Sequence, residues 1–119
     1  MNVDEYEIFI RPGAKFVLGP ITVKDGAGSP VPNAGHTARM HVRRERSDTS
    51  ELLMEANTTN GFIVLGGANG KITVSVPATV TEQVNKSGWW DLLLIPPTGE
   101  ADADFILGGP ATRVPVVTE

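Results

Sequence analysis

Apolar and polar residues alternate with the period of a β-strand along most of the chain. Successive side chains of a strand point to opposite faces, so this alternation predicts strands that are buried on one face. The segments that we predict as strands are 5–10, 15–24, 37–44, 51–56, 62–65, 71–76, 89–95, 105–107 and 111–117. Residues 77–86 change period, because Val80 and Val84 lie four apart, and predict one or two helical turns. Glycine and proline are spread between these segments, which favours an all-β fold.

The segment 89–95 predicts the central strand, because six of its seven residues are apolar and occupy both parities. A strand of that composition is covered on both faces. Asp91 marks the odd-numbered face as the less buried one, so the even-numbered residues should face the core. The same parity argument applies to the neighbouring strands. The residues predicted to form the core are Trp90, Leu92, Leu94, Met40, Val42, Ile72 and Val74.

Two hairpins are predicted beside this strand. In the first, a register that places Arg43 opposite Glu51 and Arg39 opposite Glu55 pairs opposite charges across the strands. Such pairs stabilise a sheet by a few tenths of a kcal/mol each, roughly. This pairing explains the basic stripe on segment 37–44 within the chain, without a nucleic-acid partner.

The second hairpin turns through the glycine-rich segment 66–70. Its Asn-Gly step suits the positive φ angles of a tight turn. Pairing Ile63 with Val74 directs Phe62 and Val64 away from the core. An outward apolar residue is ordinary when it stands alone.

Four apolar side chains are predicted to point outward together: Phe62, Val64, Leu93 and Ile95. A contiguous apolar patch marks a binding surface in a soluble protein. We therefore predict a protein interface on this face. The alternative route is a sheet edge, through segment 5–10 or through the last strand, 111–117, which Pro115 should confine to an edge.

Length and charge restrict the classes of function. We expect the 119 residues to form one domain, 1–119. The net charge of −4 argues against free nucleic acid as a partner. The absence of Cys excludes disulfides and thiolate metal sites, and no apolar run reaches the roughly 20 residues of a membrane span. The first residues lack a signal-peptide pattern, so we expect synthesis and folding in the cytoplasm.

Candidate catalytic groups are few. His36 and His41 are the neutral-pH bases, and neither lies in a nucleophile, phosphate-loop or zinc-protease motif. We expect a non-enzymatic protein without a cofactor. The alternating acids at 100, 102 and 104 leave two readings open, a calcium loop or a solvated acidic loop. Segment 25–36 is either a ligand-binding loop or a crossover between sheets.

Several motifs occur in a recognisable order: T-A-R-M-x-V-R-R at 37–44, E-L-L-M-E at 51–55, N-G-x-I-x-L-G-G-x-x-G-x-I-T at 60–73, W-D-L-L-L-I-P-P-T-G-E at 90–100 and L-G-G-P-A-T-x-x-P-x-V-T at 107–118. In that order the chain resembles a small family of structural proteins of tailed bacteriophages. It is similar to the N-terminal β-sandwich domains of phage upper-baseplate proteins.

The resemblance implies an immunoglobulin-like antiparallel β-sandwich of seven to nine strands. It implies a structural virion protein at the tail tip, the baseplate or a fibre attachment, where multiple copies would dock on other virion proteins. It implies no catalytic residue. Two alternatives stay open, a carbohydrate- or receptor-binding module that uses Trp89 and the loops, and a capsid decoration protein.

Overall fold

The computed structural model of the chain describes residues 6–47 and 49–115. In these ranges the fold is all-β. Eight strands occur: β1 (Ile8–Ile10), β2 (Phe16–Thr22), β3 (Thr37–Arg43), β4 (Leu52–Asn57), β5 (Ile63–Leu65), β6 (Lys71–Val76), β7 (Gly88–Ile95) and β8 (Asp104–Arg113). One short α-helix, α1 (Ala78–Thr81), and two 3₁₀ turns, Gly67–Asn69 and Glu100–Asp102, complete the elements.

The strands form two sheets. The larger has the order β1-β8-β7-β3-β4, and the smaller has the order β2-β6-β5. The strand predicted to be central, β7, lies in the middle of the larger sheet. Side chains from the inner faces of both sheets make one continuous apolar core, as two packed layers require.

All seven residues predicted to form the core are buried, with exposed fractions of 4% or less. The two tryptophans differ as the parity of β7 predicts. Trp90 is 3% exposed, whereas Trp89 on the opposite face is half-buried. The predicted register of the second hairpin is confirmed, since Ile63 pairs with Val74 in an antiparallel ladder.

The predicted register of the first hairpin is wrong. A bulge after Val42 places Met54 opposite Val42, and Glu55 lies opposite His41 rather than Arg39. Because a bulge puts two residues of one strand against one of the other, Leu53 and Met54 are both buried. The ladder therefore does not place Arg43 opposite Glu51 or Arg39 opposite Glu55, as the predicted ion pairs require.

The prediction for the last strand is also wrong. The glycine-proline segment 108–110 does not break the chain, and β8 runs from Asp104 to Arg113 between β7 and β1. The expectation of wholly antiparallel pairing fails here too, because β1 pairs with β8 in parallel. The strand ends before Pro115, and residues 116 and 117 of the predicted strand lie outside the described residues.

Two buried polar side chains, Thr81 and Asn33, form hydrogen bonds with the segments that connect strands. The hydroxyl of Thr81 in α1 donates to the carbonyl of Ala14 at 2.8 Å and accepts the N–H of Gly13 at 3.2 Å, which holds the turn between β1 and β2. Asn33 holds the long segment 25–36 to the turn that precedes β6. Segment 25–36 follows β2 of the smaller sheet and precedes β3 of the larger one, so it connects the two sheets, as a crossover would.

Candidate functional site

The outer face of the larger sheet carries a groove of about 500 Å³. Its lining includes the outward-pointing residues Arg39, His41 and Arg43 of β3 and Trp89, Asp91 and Leu93 of β7. We call this surface the Trp89 groove; its lining also includes Phe105, Gly108 and Arg46.

β8 borders the groove with two glycines at its centre. Gly108 lies opposite Asp91, and Phe105 lies opposite Leu93. A Cβ atom at Gly108 would approach the Phe105 ring to 3.0 Å and the carbonyl oxygen of Trp90 to 2.8 Å. The Phe105 ring thus packs over the buried Gly108 in the space of the missing side chain, and this half-exposed ring lines the groove together with Asp91.

A polar network crosses the adjoining strands. Arg43 donates to the carbonyl of Ser50 at 2.8 Å and lies 3.4 Å from Nδ1 of His41. Nε2 of His41 lies 3.2 Å from a carboxylate oxygen of Glu55. The Nε2–H of His41 donates to this carboxylate. This chain of bonds holds the Arg43 and His41 side chains against the outer face of the sheet.

Arginines also cover the two ends of the groove. The guanidinium carbon of Arg46 lies 3.9 Å from the centre of a Trp89 ring, which is cation–π geometry. Arg39 pairs with Glu100 at 3.1 Å. That pair is exposed at Glu100, so its contribution to the free energy of unfolding is small, about 0–1 kcal/mol.

Glu55 makes the folded state sensitive to acid. Partial burial by itself raises the pKa of Glu55, but hydrogen bonds from Asn57 and His41 and the charges of His41 and Arg39 outweigh it, so the pKa lies below its ordinary value of 4.5. A depressed carboxyl pKa stabilises the folded state above the unfolded-state value, and this stabilisation is lost as pH falls through the folded-state value.

We therefore expect Glu55→Gln to flatten the acid limb of the stability curve. Denaturant unfolding between about pH 5 and about pH 3 should show a steeper loss of the free energy of unfolding for the wild type than for the variant. Glu82→Gln, at an exposed position, is the control. Parallel wild-type and Glu55→Gln curves would contradict the network.

The structure separates the four residues predicted to form one apolar patch. Leu93 and Ile95 point outward from the larger sheet and are half-buried, whereas Val64 is 62% exposed on the smaller sheet. Phe62 precedes β5 and packs against the core. The predicted single patch is therefore wrong. The aromatic neighbour of Leu93 is Phe105, which parity alone could not find because it depends on β8 lying beside β7.

The acidic loop does not converge on one point. Glu100 pairs with Arg39, and Asp102 accepts the hydroxyl hydrogen of Thr98 at 2.7 Å. Within residues 6–47 and 49–115, no group of three or more His, Cys, Asp or Glu side chains is placed to hold a metal ion.

A second exposed surface lies where the edges of the two sheets come together. β1 is the outermost strand of the larger sheet and β2 of the smaller one. A groove of about 310 Å³ lies between them, and Tyr6, Phe9 and Val17 are each more than half exposed there. We call this surface the β1–β2 edge.

Comparison with known proteins adds no assignment to this geometry. No protein-family model matches the chain, and no curated protein sequence matches it significantly. The class that the fold defines is an all-β protein with two sheets. No helix in the described ranges has both the length and the apolar character needed to cross a bilayer.

Proposed function

We propose that the chain is a non-enzymatic structural protein that docks onto other proteins through the Trp89 groove. One observation carries the proposal. Trp89, Phe105, Arg39, Arg43 and Arg46 are gathered in one groove on one sheet face. Aromatic residues and Arg are enriched in the centres of protein interfaces, and Trp and Arg are prominent among the residues that dominate binding energy.

The groove has the layout of an interface centre. Leu93 and Phe105 face each other across β7 and β8 and form an apolar floor. Trp89 adds a large ring that loses little conformational entropy on binding, because it has two rotatable side-chain bonds. The arginines around it offer planar donor groups for carboxylates and carbonyls of a partner.

We place this docking in a tailed-phage virion, at the tail tip, the baseplate or a fibre attachment. The sequence resemblance supports that setting, and the two packed sheets are compatible with the immunoglobulin-like sandwich that we propose for the chain. The partners would be other virion proteins, in copies set by the symmetry of the particle. A place on the capsid as a decoration protein is the alternative within the same class.

A carbohydrate-binding module is the second candidate, because Trp89 is flanked by Arg43, Asp91 and other polar side chains. Against it, Arg46 covers one face of the Trp89 ring, where a sugar would stack. If this candidate holds, oligosaccharides of the bacterial envelope should change the Trp89 fluorescence, and Trp89→Phe should abolish that change while Trp90 stays buried.

The test of the docking proposal is incorporation into particles. A tagged copy of the chain would be expressed during infection by the phage that carries its gene, and purified particles would be probed for the tag. We expect Leu93→Asp with Phe105→Asp to remove the protein from particles, because two buried unpaired charges at an interface centre cost more than about 4 kcal/mol of binding.

The matched control is Val64→Asp, an exposed apolar residue on the other sheet. It should be incorporated like the wild type. The double variant should keep the far-ultraviolet circular-dichroism spectrum and melting temperature of a folded chain, because both side chains point outward. Normal incorporation of a folded double variant would contradict docking through the groove.

A further inference from the structure

The β1 strand presents backbone groups to an open side. The N–H of Tyr6 donates to Gly108 at 2.8 Å, and the N–H of Val114 donates to Ile10 at 2.9 Å. Even-numbered residues of β1 therefore direct their backbone groups to β8. Because these directions alternate along a strand, Glu7 and Phe9 direct theirs away from β8. Among the described residues, no strand pairs with β1 on that side.

The exposed side chains of this edge are aromatic at Tyr6 and Phe9 and charged at Glu7 and Arg11. An open edge can pair with another chain, and charged side chains restrict which partner and register it accepts. Here Phe9 is 58% exposed and Tyr6 is 52% exposed. Glu7 and Arg11 lie two residues before and two residues after Phe9, and both are exposed. The Glu7 carboxylate accepts the hydroxyl hydrogen of Thr112 on β8 at 2.5 Å, and its remaining lone pairs are open to a second donor.

We propose that β1 pairs antiparallel with β1 of a second copy, about a twofold axis through Phe9. Each Phe9 would then exchange both backbone hydrogen bonds with the Phe9 of the other copy. Glu7 would lie opposite Arg11 of the other copy, at both ends of the pairing. The two larger sheets would join into one continuous sheet with the Phe9 rings side by side on its outer face.

Charge selects this register from the others. Centring the axis on Glu7 would place two carboxylates opposite each other, and centring it on Arg11 would place two guanidinium groups opposite each other. Centring it on Ile8 or Ile10 would pair Phe9 with a charged residue. The Phe9 register alone matches both charges and both rings, and like charges directly opposite are destabilising.

The pairing strand is short, so we expect weak association that becomes substantial where copies are concentrated, as in an assembled particle. This inference does not depend on the Trp89 groove, because β1 lies at the sheet edge. Its test uses the isolated chain in solution, so its failure is distinct from failure of particle incorporation.

The experiment is sedimentation equilibrium of the full chain from about 10 µM to about 1 mM. We expect a reversible monomer–dimer equilibrium. Glu7→Arg and Arg11→Glu should each raise the dissociation constant by about tenfold, and the double exchange should restore it, because it rebuilds both opposite-charge pairs. Glu45→Arg, at an exposed position in the turn between β3 and β4 at the opposite edge of the larger sheet, should leave the constant unchanged.

A backbone variant tests the strand pairing itself. Phe9→Pro removes the donor at the centre of the proposed pairing and leaves the bonds to β8, so it should abolish dimers while the melting temperature stays close to that of Phe9→Ala. A chain that stays monomeric at 1 mM overturns the proposal, and so does a dimer that survives Phe9→Pro. A double exchange that does not restore the dissociation constant overturns the register.

Discussion

We expect Trp90→Ala to lower the free energy of unfolding by roughly 3–5 kcal/mol. Trp90 is 3% exposed and fills the core between the two sheets. Its indole N–H also donates to the carbonyl of Tyr6 at 2.7 Å. Denaturant unfolding measures the loss, and Trp89→Ala on the opposite face should cost much less. Equal losses for the two variants would contradict the assigned core face.

The indole bond has a specific origin in the β1–β8 ladder. In a parallel ladder the carbonyl of Tyr6 would accept the N–H of residue 110, but Pro110 has none. The indole of Trp90 supplies the missing donor. Trp90→Phe, which keeps most of the packing, should therefore lower the free energy of unfolding by about 1–3 kcal/mol.

Restoring the backbone donor separates these two contributions. In the Trp90→Phe background, Pro110→Ala supplies an N–H at the ladder position and should recover part of the loss. In the wild-type background the same change should recover nothing, because the Tyr6 carbonyl already has a donor. Identical effects of Pro110→Ala in both backgrounds would contradict this role of the indole.

Asn33→Ala should lower the free energy of unfolding by about 2–3 kcal/mol. Asn33 is 1% exposed. Its side-chain oxygen accepts the N–H of Gly67 at 2.7 Å, and its side-chain nitrogen donates to the carbonyl of Lys71 at 3.2 Å. Removing the amide leaves the N–H of Gly67 without this acceptor, whereas the Lys71 carbonyl keeps the N–H of Gly66, which donates to it at 2.8 Å.

Two variants make the measurement specific. Asn33→Asp keeps the acceptor for Gly67 but brings a carboxylate to the carbonyl of Lys71, so it should destabilise the fold as well. Ser29→Ala, in the same segment but exposed, should change the free energy of unfolding by less than about 0.5 kcal/mol. If Asn33→Ala were as mild as Ser29→Ala, the segment would not be held by this side chain.

Local patterns predicted the strands and their inner faces well. The alternation in β6 and the even-numbered positions of β7 depend only on neighbouring residues, and the glycine-rich turn between β5 and β6 fixes their register. The buried role of Asn33 left no such signal, because a single Asn in a loop of Gly and Pro is typical of a turn.

Contacts between distant segments could not be predicted in the same way. The bulge in the β3–β4 pair shifts the register, and no residue pattern in the two strands marks it. Segment 108–110 has the composition of a turn, yet Gly109 serves the close approach of β1, since a Cβ atom there would lie 2.8 Å from the Tyr6 carbonyl oxygen. The Trp89 groove depends on the order β8-β7-β3, so its aromatic and arginine residues meet only in the folded sheet.

Under the proposal of a place in a tailed-phage virion, cryo-electron microscopy of intact particles that encode the chain tests docking most directly. We expect density for the chain at the tail end, with Trp89, Leu93 and Phe105 covered by a neighbouring protein. Density on the capsid with the groove covered would keep the docking surface and change the location. Particles that lack the chain, or that contain it with the groove open to solvent in every copy, would contradict the proposal.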